Sequence, residues 1–494
     1  MRMSTTNAST SSAQVWGKNE FKGLLVLVFA SLLATFLGAC SNASNENEIA
    51  NATQVTADLL SVTNTPLPTN TPLPTATQDI MPTATPTIIA TALPTPTALL
   101  PEPLVDCGQV LPLLPAHDVS LVDSLDPDPV ALANLQAIVP VEAREALDYI
   151  LAHPGSVGLA VYPVGQEANG AYLNADVPMP LASVVKVIDL IAYAEAVAAG
   201  ELDPLITVTL EEIEAYYLPT TDLGAHTDAV AGLEANGRLF GQPATILLDE
   251  VPGMMIEFSD NAATDYLHML LGQDTIENTA VALNLPSQTA PCPFVGQFLA
   301  MGNHTRTVDN DYSAVQAYID NPASYGREVM ALTEAFAGDG DFRDTAIAWR
   351  QETKRPTGQT QRFFSQNLNA HGSAAEYAGL MAQIALNGLS DPDASFITRR
   401  YMEWPMRFPD NQAKFSNLGY KGGSLPGILT TVYYAYPVGE TTPLVVALFF
   451  RDLDGRSVYR EWRSSQTHDE LARWLLADPA AIPALKAVLE PAGP

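Results

Sequence analysis

Basic residues are scarce in this chain: 24 Lys+Arg stand against 55 Asp+Glu in 494 residues, a formal net charge of −31. Phosphate binding needs a basic surface, so nucleic acid is excluded as an expected partner. Histidine is also sparse, with seven in the chain, and His226, His304 and His371 show no paired ligand spacing. A zinc hydrolase therefore finds no support, and no metal or cofactor is expected. Cysteine occurs three times, at Cys40, Cys107 and Cys292. An apolar run from Gly23 to Leu37 follows Lys18 and Lys22, and it is shorter than the roughly 20 residues a membrane span usually needs. A basic start, an apolar stretch and small residues before Cys40 read as a signal peptide over residues 1–39.

The ending Leu37-Gly38-Ala39-Cys40 resembles the lipobox of bacterial lipoproteins. That resemblance implies lipidation of Cys40 as the mature N-terminus and a chain held to the membrane on its extracytoplasmic side. An uncleaved anchor is the alternative. Residues 40–104 follow as a tether, dominated by Thr, Pro, Asn and Ala, with Thr-Asn-Thr-Pro-Leu-Pro at Thr63 and again at Thr69. Such a composition cannot bury a core. Its prolines favour an extended form spanning up to roughly 190 Å at ~3.1 Å per residue. Outside the cytoplasm Cys107 and Cys292 are either bridged or free, and a bridge requires Cα atoms within about 7 Å.

The remaining segment, 105–494, has a mixed grammar. Glu142 to Leu151 reads as a helix, Val157 to Tyr162 and Gly170 to Leu173 as strands, and Val184 to Ala199 as an apolar helix closed by Gly200. Helices are expected at Met255 to Leu271 and Ala374 to Leu386. Strands return at Gly419 to Gly422, Ile428 to Tyr436 and Pro443 to Arg451, before a helix at His468 to Leu476. Strands at both ends with helices between them predict an α+β unit whose termini share one antiparallel sheet.

Three short motifs carry the chemistry. Ser183-Val184-Val185-Lys186 opens the apolar helix, where a lysine three residues on returns to the face of the serine and can take its proton. The start of a helix also offers free N–H groups to a developing negative charge. Alone the pair is weak, since a capping serine and a surface lysine give the same pattern. The second motif is Ser259-Asp260-Asn261, ahead of a helix-forming run; the third is Lys421-Gly422-Gly423-Ser424, opening a strand pattern that runs on into Ile428 to Tyr436. In this order the three resemble the set of class A β-lactamases and penicillin-binding proteins, over roughly Glu142 to Leu476.

That resemblance implies a β-lactamase/D,D-peptidase-like fold, with a sheet flanked by helices and an all-helical subdomain. It implies Ser183 as the acylated nucleophile, Lys186 as the group that deprotonates it, and Ser259 as a relay toward the leaving nitrogen. Asn261 would hold the substrate amide and position Lys186, while Lys421 would face both the substrate carboxylate and the Ser259 hydroxyl. Burial of Lys186 beside Lys421 would favour its neutral form. Gly423 would keep the strand clear of the substrate, and the backbone N–H groups of Ser183 and Ser424 would form the oxyanion hole. The implied substrate is a β-lactam or a peptidoglycan-related amide.

Two departures qualify the implied activity. Gly422 stands where the family usually has a hydroxyl residue, which removes a donor to the carboxylate; Ser424 is the expected partial substitute. No Glu-x-x-Leu-Asn segment supplies a deacylating base between Asn261 and Lys421, so slow turnover is expected. Glu334, Asp339, Asp341, Asp344 and Glu352 occur in that interval, but exposed acids are common in so acidic a chain and none is assigned the role. Gly155 to Gly158 and Gly338 to Asp341 are read as turns, and Tyr216 and Tyr217 as either border residues of the site or packing aromatics. A D,D-peptidase or esterase, and a non-catalytic envelope-binding module on the same fold, remain the alternatives to a lactamase.

Overall fold

The computed structural model describes residues 107–108, 120–306, 311–454 and 458–490. The expected signal segment, Cys40 and the Thr/Pro-rich stretch lie outside the described residues.

Five antiparallel strands form the central sheet: β1 (Val157–Pro163), β2 (Ala171–Leu173), β3 (Phe415–Leu425), β4 (Ile428–Pro437) and β5 (Leu444–Phe450), in the order β2-β1-β5-β4-β3. Both ends of the folded segment contribute, because β1 pairs with β5 from Val157 opposite Phe450 to Pro163 opposite Leu444. The fold is thus the α+β arrangement that strands at both ends predict.

The continuous apolar run of β5 follows from burial on both faces. Side chains alternate across a strand, and Val445, Ala447 and Phe449 enter one core while Val446, Leu448 and Phe450 enter another. The first core holds the helices Lys186–Ala198 and Ala374–Ala385 and the helical middle of the chain. The second is closed by Val141–Ala152, Thr467–Ala477 and Ala481–Leu489. A Cys107–Cys292 disulfide, with Cα atoms 5.2 Å apart, ties the start of the described chain to the helical middle.

Three expected elements differ in ways that matter for the site. The stretch expected as one helix from Met255 to Leu271 is a π-helical turn, Met254–Phe258, then a break, then the helix Asn261–Leu271. Ser259 adopts φ 64°, and the Asp260 side chain accepts from the amides of Ala262 and Ala263, so a cap outcompetes helix continuation. The Ser183 helix begins as a 3₁₀ turn, Ala182–Val185, before the α-helix Lys186–Ala198. Lys421 to Ser424 lies inside β3 and does not run on into the next strand, because Gly427, at φ 85°, reverses the chain into β4.

Candidate active site

Ser183 sits on a turn that its neighbours hold from two sides. Ala182 has φ 49°, a left-handed conformation that costs a non-glycine residue about 1 kcal/mol and persists only where surroundings enforce it. The Ala182 amide donates to Asn369 Oδ1 at 2.8 Å and the Leu181 amide to the Ala370 carbonyl at 2.8 Å. From the sheet, Thr430 Oγ1 donates to the Leu181 carbonyl at 2.7 Å.

Gly423 explains how β3 comes so close. A Cβ there would stand 2.7 Å from Leu181 O and 2.8 Å from the Ser183 amide nitrogen, so only glycine lets the strand pass along the turn.

The break at Ser259 turns three groups toward two buried lysines. Lys186 Nζ donates to the Ser259 carbonyl at 2.6 Å, to Asn261 Oδ1 at 2.8 Å and to Ser259 Oγ at 3.4 Å. Lys421 Nζ donates to Ser259 Oγ at 2.9 Å and to the Gly422 carbonyl at 2.8 Å. With both lone pairs of Ser259 Oγ engaged by ammonium groups, its own proton is free to donate into the cleft. Burial lowers the Lys186 pKa from 10.5 to about 8, against the opposing charges of Asp260, Asp265 and Asp189. Lys421 is held well below 10.5, by burial first and by Lys186 second. Among the described residues neither ammonium meets a carboxylate directly, which is what keeps a neutral lysine accessible.

Ser183, Ser259, Asn261, Lys421, Gly423 and Ser424 line one cavity of about 1300 Å³, with Lys186 buried behind them. The structure therefore brings together six of the residues that the motifs single out, and the seventh touches two of them. Ser424 Oγ lies 2.9 Å from the Tyr459 hydroxyl.

Several features were missed in the sequence. A Cβ on Gly422 would run into the Tyr420 hydroxyl, so the aromatic two residues earlier fills the place of the missing side chain. Its ring stacks on Tyr433 at 4.5 Å, and its hydroxyl donates to Asp469 Oδ2 at 3.3 Å. Residues 365–369 read Ser-Gln-Asn-Leu-Asn, which shares the Leu-Asn ending of the Glu-x-x-Leu-Asn pattern with serine in the glutamate's position: Asn369 accepts from the Ala182 amide, and Ser365 lines the cavity. The only signal was the Leu-Asn ending, which is too short to find without its glutamate. Glu334, Asp339, Asp341, Asp344 and Glu352 do not line the cavity. Asp339 instead caps the helix Gly340–Thr353.

Two histidines serve as internal braces. His226 Nδ1 lies 2.8 Å from Asp260 Oδ2, and His268 Nδ1 lies 2.9 Å from Asp189 Oδ1. Tyr217 packs on His226 and Tyr216 on Tyr266, while the following residues, Leu218 to Leu223, line the cavity. Asp265, pushed up to about 7 by burial, accepts from the Phe294 and Val295 amides at 2.6 Å each and sets the Phe294 ring 4.7 Å from Lys186 Nζ.

Residues 142–321 match the family model described as the beta-lactamase enzyme family. Solved structures with a similar chain include a beta-lactamase from Sphaerobacter thermophilus DSM 20745, 17% identical, TM-score 0.41, covering 71% of this chain and 97% of that one. They also include PBP-A, 13% identical, TM-score 0.39, covering 74% and 98%. A third is a beta-lactamase from Chitinophaga pinensis DSM 2588, 15% identical, TM-score 0.38, covering 66% and 97%. No curated protein matches the chain.

Proposed function

We propose that this chain, whose family is β-lactamase-like, is a serine hydrolase that opens β-lactam rings or related amides through an ester at Ser183 and releases the product slowly. Ser183 Oγ bonds to the carbonyl carbon while its proton passes to neutral Lys186. The carbon–nitrogen bond then breaks, and the leaving nitrogen takes a proton through Ser259. Water later cleaves the ester and regenerates Ser183. The amides of Ser183 and Ser424 are the donors assigned to the carbonyl oxygen, a role in which one donor is worth on the order of 10²–10³ in rate.

The single observation that carries this reading is the sharing of the Ser259 hydroxyl by two buried lysines at the wall of the Ser183 cavity. Removing two ammonium groups from water is expensive whatever they do, and keeping both so close together is a cost that a non-catalytic binding module on the same fold has no reason to bear. Slow release follows from Ser365, whose hydroxyl donates to the Gln361 carbonyl at 2.8 Å where a carboxylate would activate water. That position favours penicillin-binding behaviour, with D,D-peptidase or esterase activity, over rapid lactamase turnover.

Intact-mass spectrometry after mixing with a penicillin tests the proposal. A covalent adduct persisting for minutes or longer is expected, and absent from Ser183→Ala. Labelling of both proteins, or of neither by several β-lactams, sinks it. The proposal also includes anchoring through a lipidated Cys40 and the Thr/Pro-rich tether on the extracytoplasmic face. Membrane fractionation of Cys40→Ser checks this, and unchanged partition into the membrane would remove the anchor.

A further inference from the structure

The cavity that holds Ser183 collects positive charge in a chain that has little. Apart from Lys421, it is lined by Arg350, Lys354, Arg355, Arg362, Arg460 and Arg463, six of the 24 Lys+Arg. Among the described residues, five acids reach the same wall: Asp222, Asp228, Glu257, Asp454 and Asp469. The lining thus inverts the charge ratio of the chain as a whole.

Glu257 pairs with Arg407, Asp222 accepts from the Gly224 and His226 amides, and Asp469 accepts from Thr431. Among the described residues, Lys354, Arg362, Arg460 and Arg463 form no ion pair with a carboxylate. Arg362 donates to the Asp452 carbonyl, which orients a guanidinium without cancelling it, and Arg463 lies over the Tyr459 ring at 5.8 Å. Lys354 and Arg460 meet no acid among the described residues.

Arg362, Arg460 and Arg463 lie close to the turn that joins β3 to β4. Arg362 Nε would be 3.2 Å from a Cβ on Gly427 of that turn, and the helix Val458–Ser465, which carries Arg460 and Arg463, is joined to the end of β3 by the bond between Ser424 and Tyr459. Lys354 and Arg355 lie on the link between the helices Gly340–Thr353 and Gly358–Asn367. A wall with a local excess of one sign draws ligands of the opposite sign, even on a molecule whose net charge repels them.

We infer that this cationic wall is a second anion subsite, and that the favoured substrate is a dianionic amide or lactam, with one negative group beside Lys421 and another reaching toward Lys354, Arg362 and Arg460. The inference rests on the acyl-transfer reading for the substrate's reacting bond, but it concerns binding and is measured without acylation. Three penicillins that share one bicyclic core supply the probes: the zwitterionic aminobenzyl, the monoanionic benzyl and the dianionic carboxybenzyl compounds.

Their affinities for full-length Ser183→Ala, measured by titration calorimetry, should rise from zwitterion to dianion by roughly tenfold at low salt. The spread should collapse at high ionic strength, and also in the same protein carrying Lys354→Glu and Arg460→Glu, both on exposed side chains. Equal or reversed affinities at low salt, no measurable binding of any of the three, or an unchanged spread in the charge-reversed protein would overturn the subsite. Wild-type acylation by the same compounds separates the two readings. No adduct together with a charge-ordered affinity series removes acyl transfer and leaves the subsite, whereas adducts formed with charge-blind affinity do the reverse.

Discussion

Lys186 is where the chemistry and the cost of burial meet. With its pKa near 8, a neutral amine is a minor but accessible species at neutral pH. If the neutral form takes the Ser183 proton, acylation should rise about tenfold per pH unit below 8 and level off above it. Stopped-flow acylation across pH 6 to 9 checks this, and a flat profile would remove Lys186 as the base. Lys186→Arg keeps a cation that can still donate to Ser259 and Asn261 but cannot be deprotonated, so acylation should fall by about 10²–10⁴-fold with the fold intact. At this scale the sequence was legible where a side chain is its own signal. Ser183, Lys186, Ser259 and Lys421 could be named because type and order together are distinctive. Tyr420 and Ser365 could not, because each matters only through a place that another residue leaves empty.

Among the elements, the break between the π-helical turn and the helix Asn261–Leu271 does most to shape the site, and it depends on Asp260. One carboxylate oxygen caps the helix and the other meets His226, so the Ser259 turn is tied to the helix Ala225–Ala235 and to the loop that lines the cavity. Burial pulls the His226 pKa down, but the hydrogen bond and charge of Asp260 outweigh it and hold the value above 6.5. A raised folded pKa means that protonated His226 stabilises fully below the unfolded value, and that this contribution is lost as pH rises through the folded one. Thermal melts should therefore show wild type more stable than His226→Asn at pH 5.5, with the gap shrinking above pH 6.5. A gap independent of pH would show that the pair contributes by packing alone. His226→Asn retains a side-chain donor toward Asp260 and should keep most acylation activity, while His226→Phe should lose it along with the cap geometry. None of this was visible in the pattern around Ser259, whose apolar flanks look like an uninterrupted helix. The competing cap is a local hydrogen bond, and its histidine lies 34 residues away in sequence.

Across the whole molecule, long-range links decide stability. The Cys107–Cys292 bridge closes a loop with a sequence separation of 185 residues, for which chain entropy predicts a contribution of about 5 kcal/mol. Replacing both cysteines by serine should lower the melting temperature by several degrees while leaving labelling at Ser183 intact at low temperature. An unchanged melting point would mean that packing between Cys107 and the helical middle already holds the segment. The architecture was readable from the strands at either end, whereas the disulfide was left open because sequence gives no Cα separation.

The central position of β5 carries a further consequence, for the order of events during synthesis. Among the described residues that strand is the only partner of β1 other than short β2, and it joins them to β4 and β3, which carries Lys421. A ribosome that has made residues 1–440 has already produced every motif of the cleft, yet the two halves of the sheet have no shared strand. Maturation must wait until Leu444 to Phe450 has been made, and nascent chains arrested before Leu444 should take up no penicillin label however long they are held.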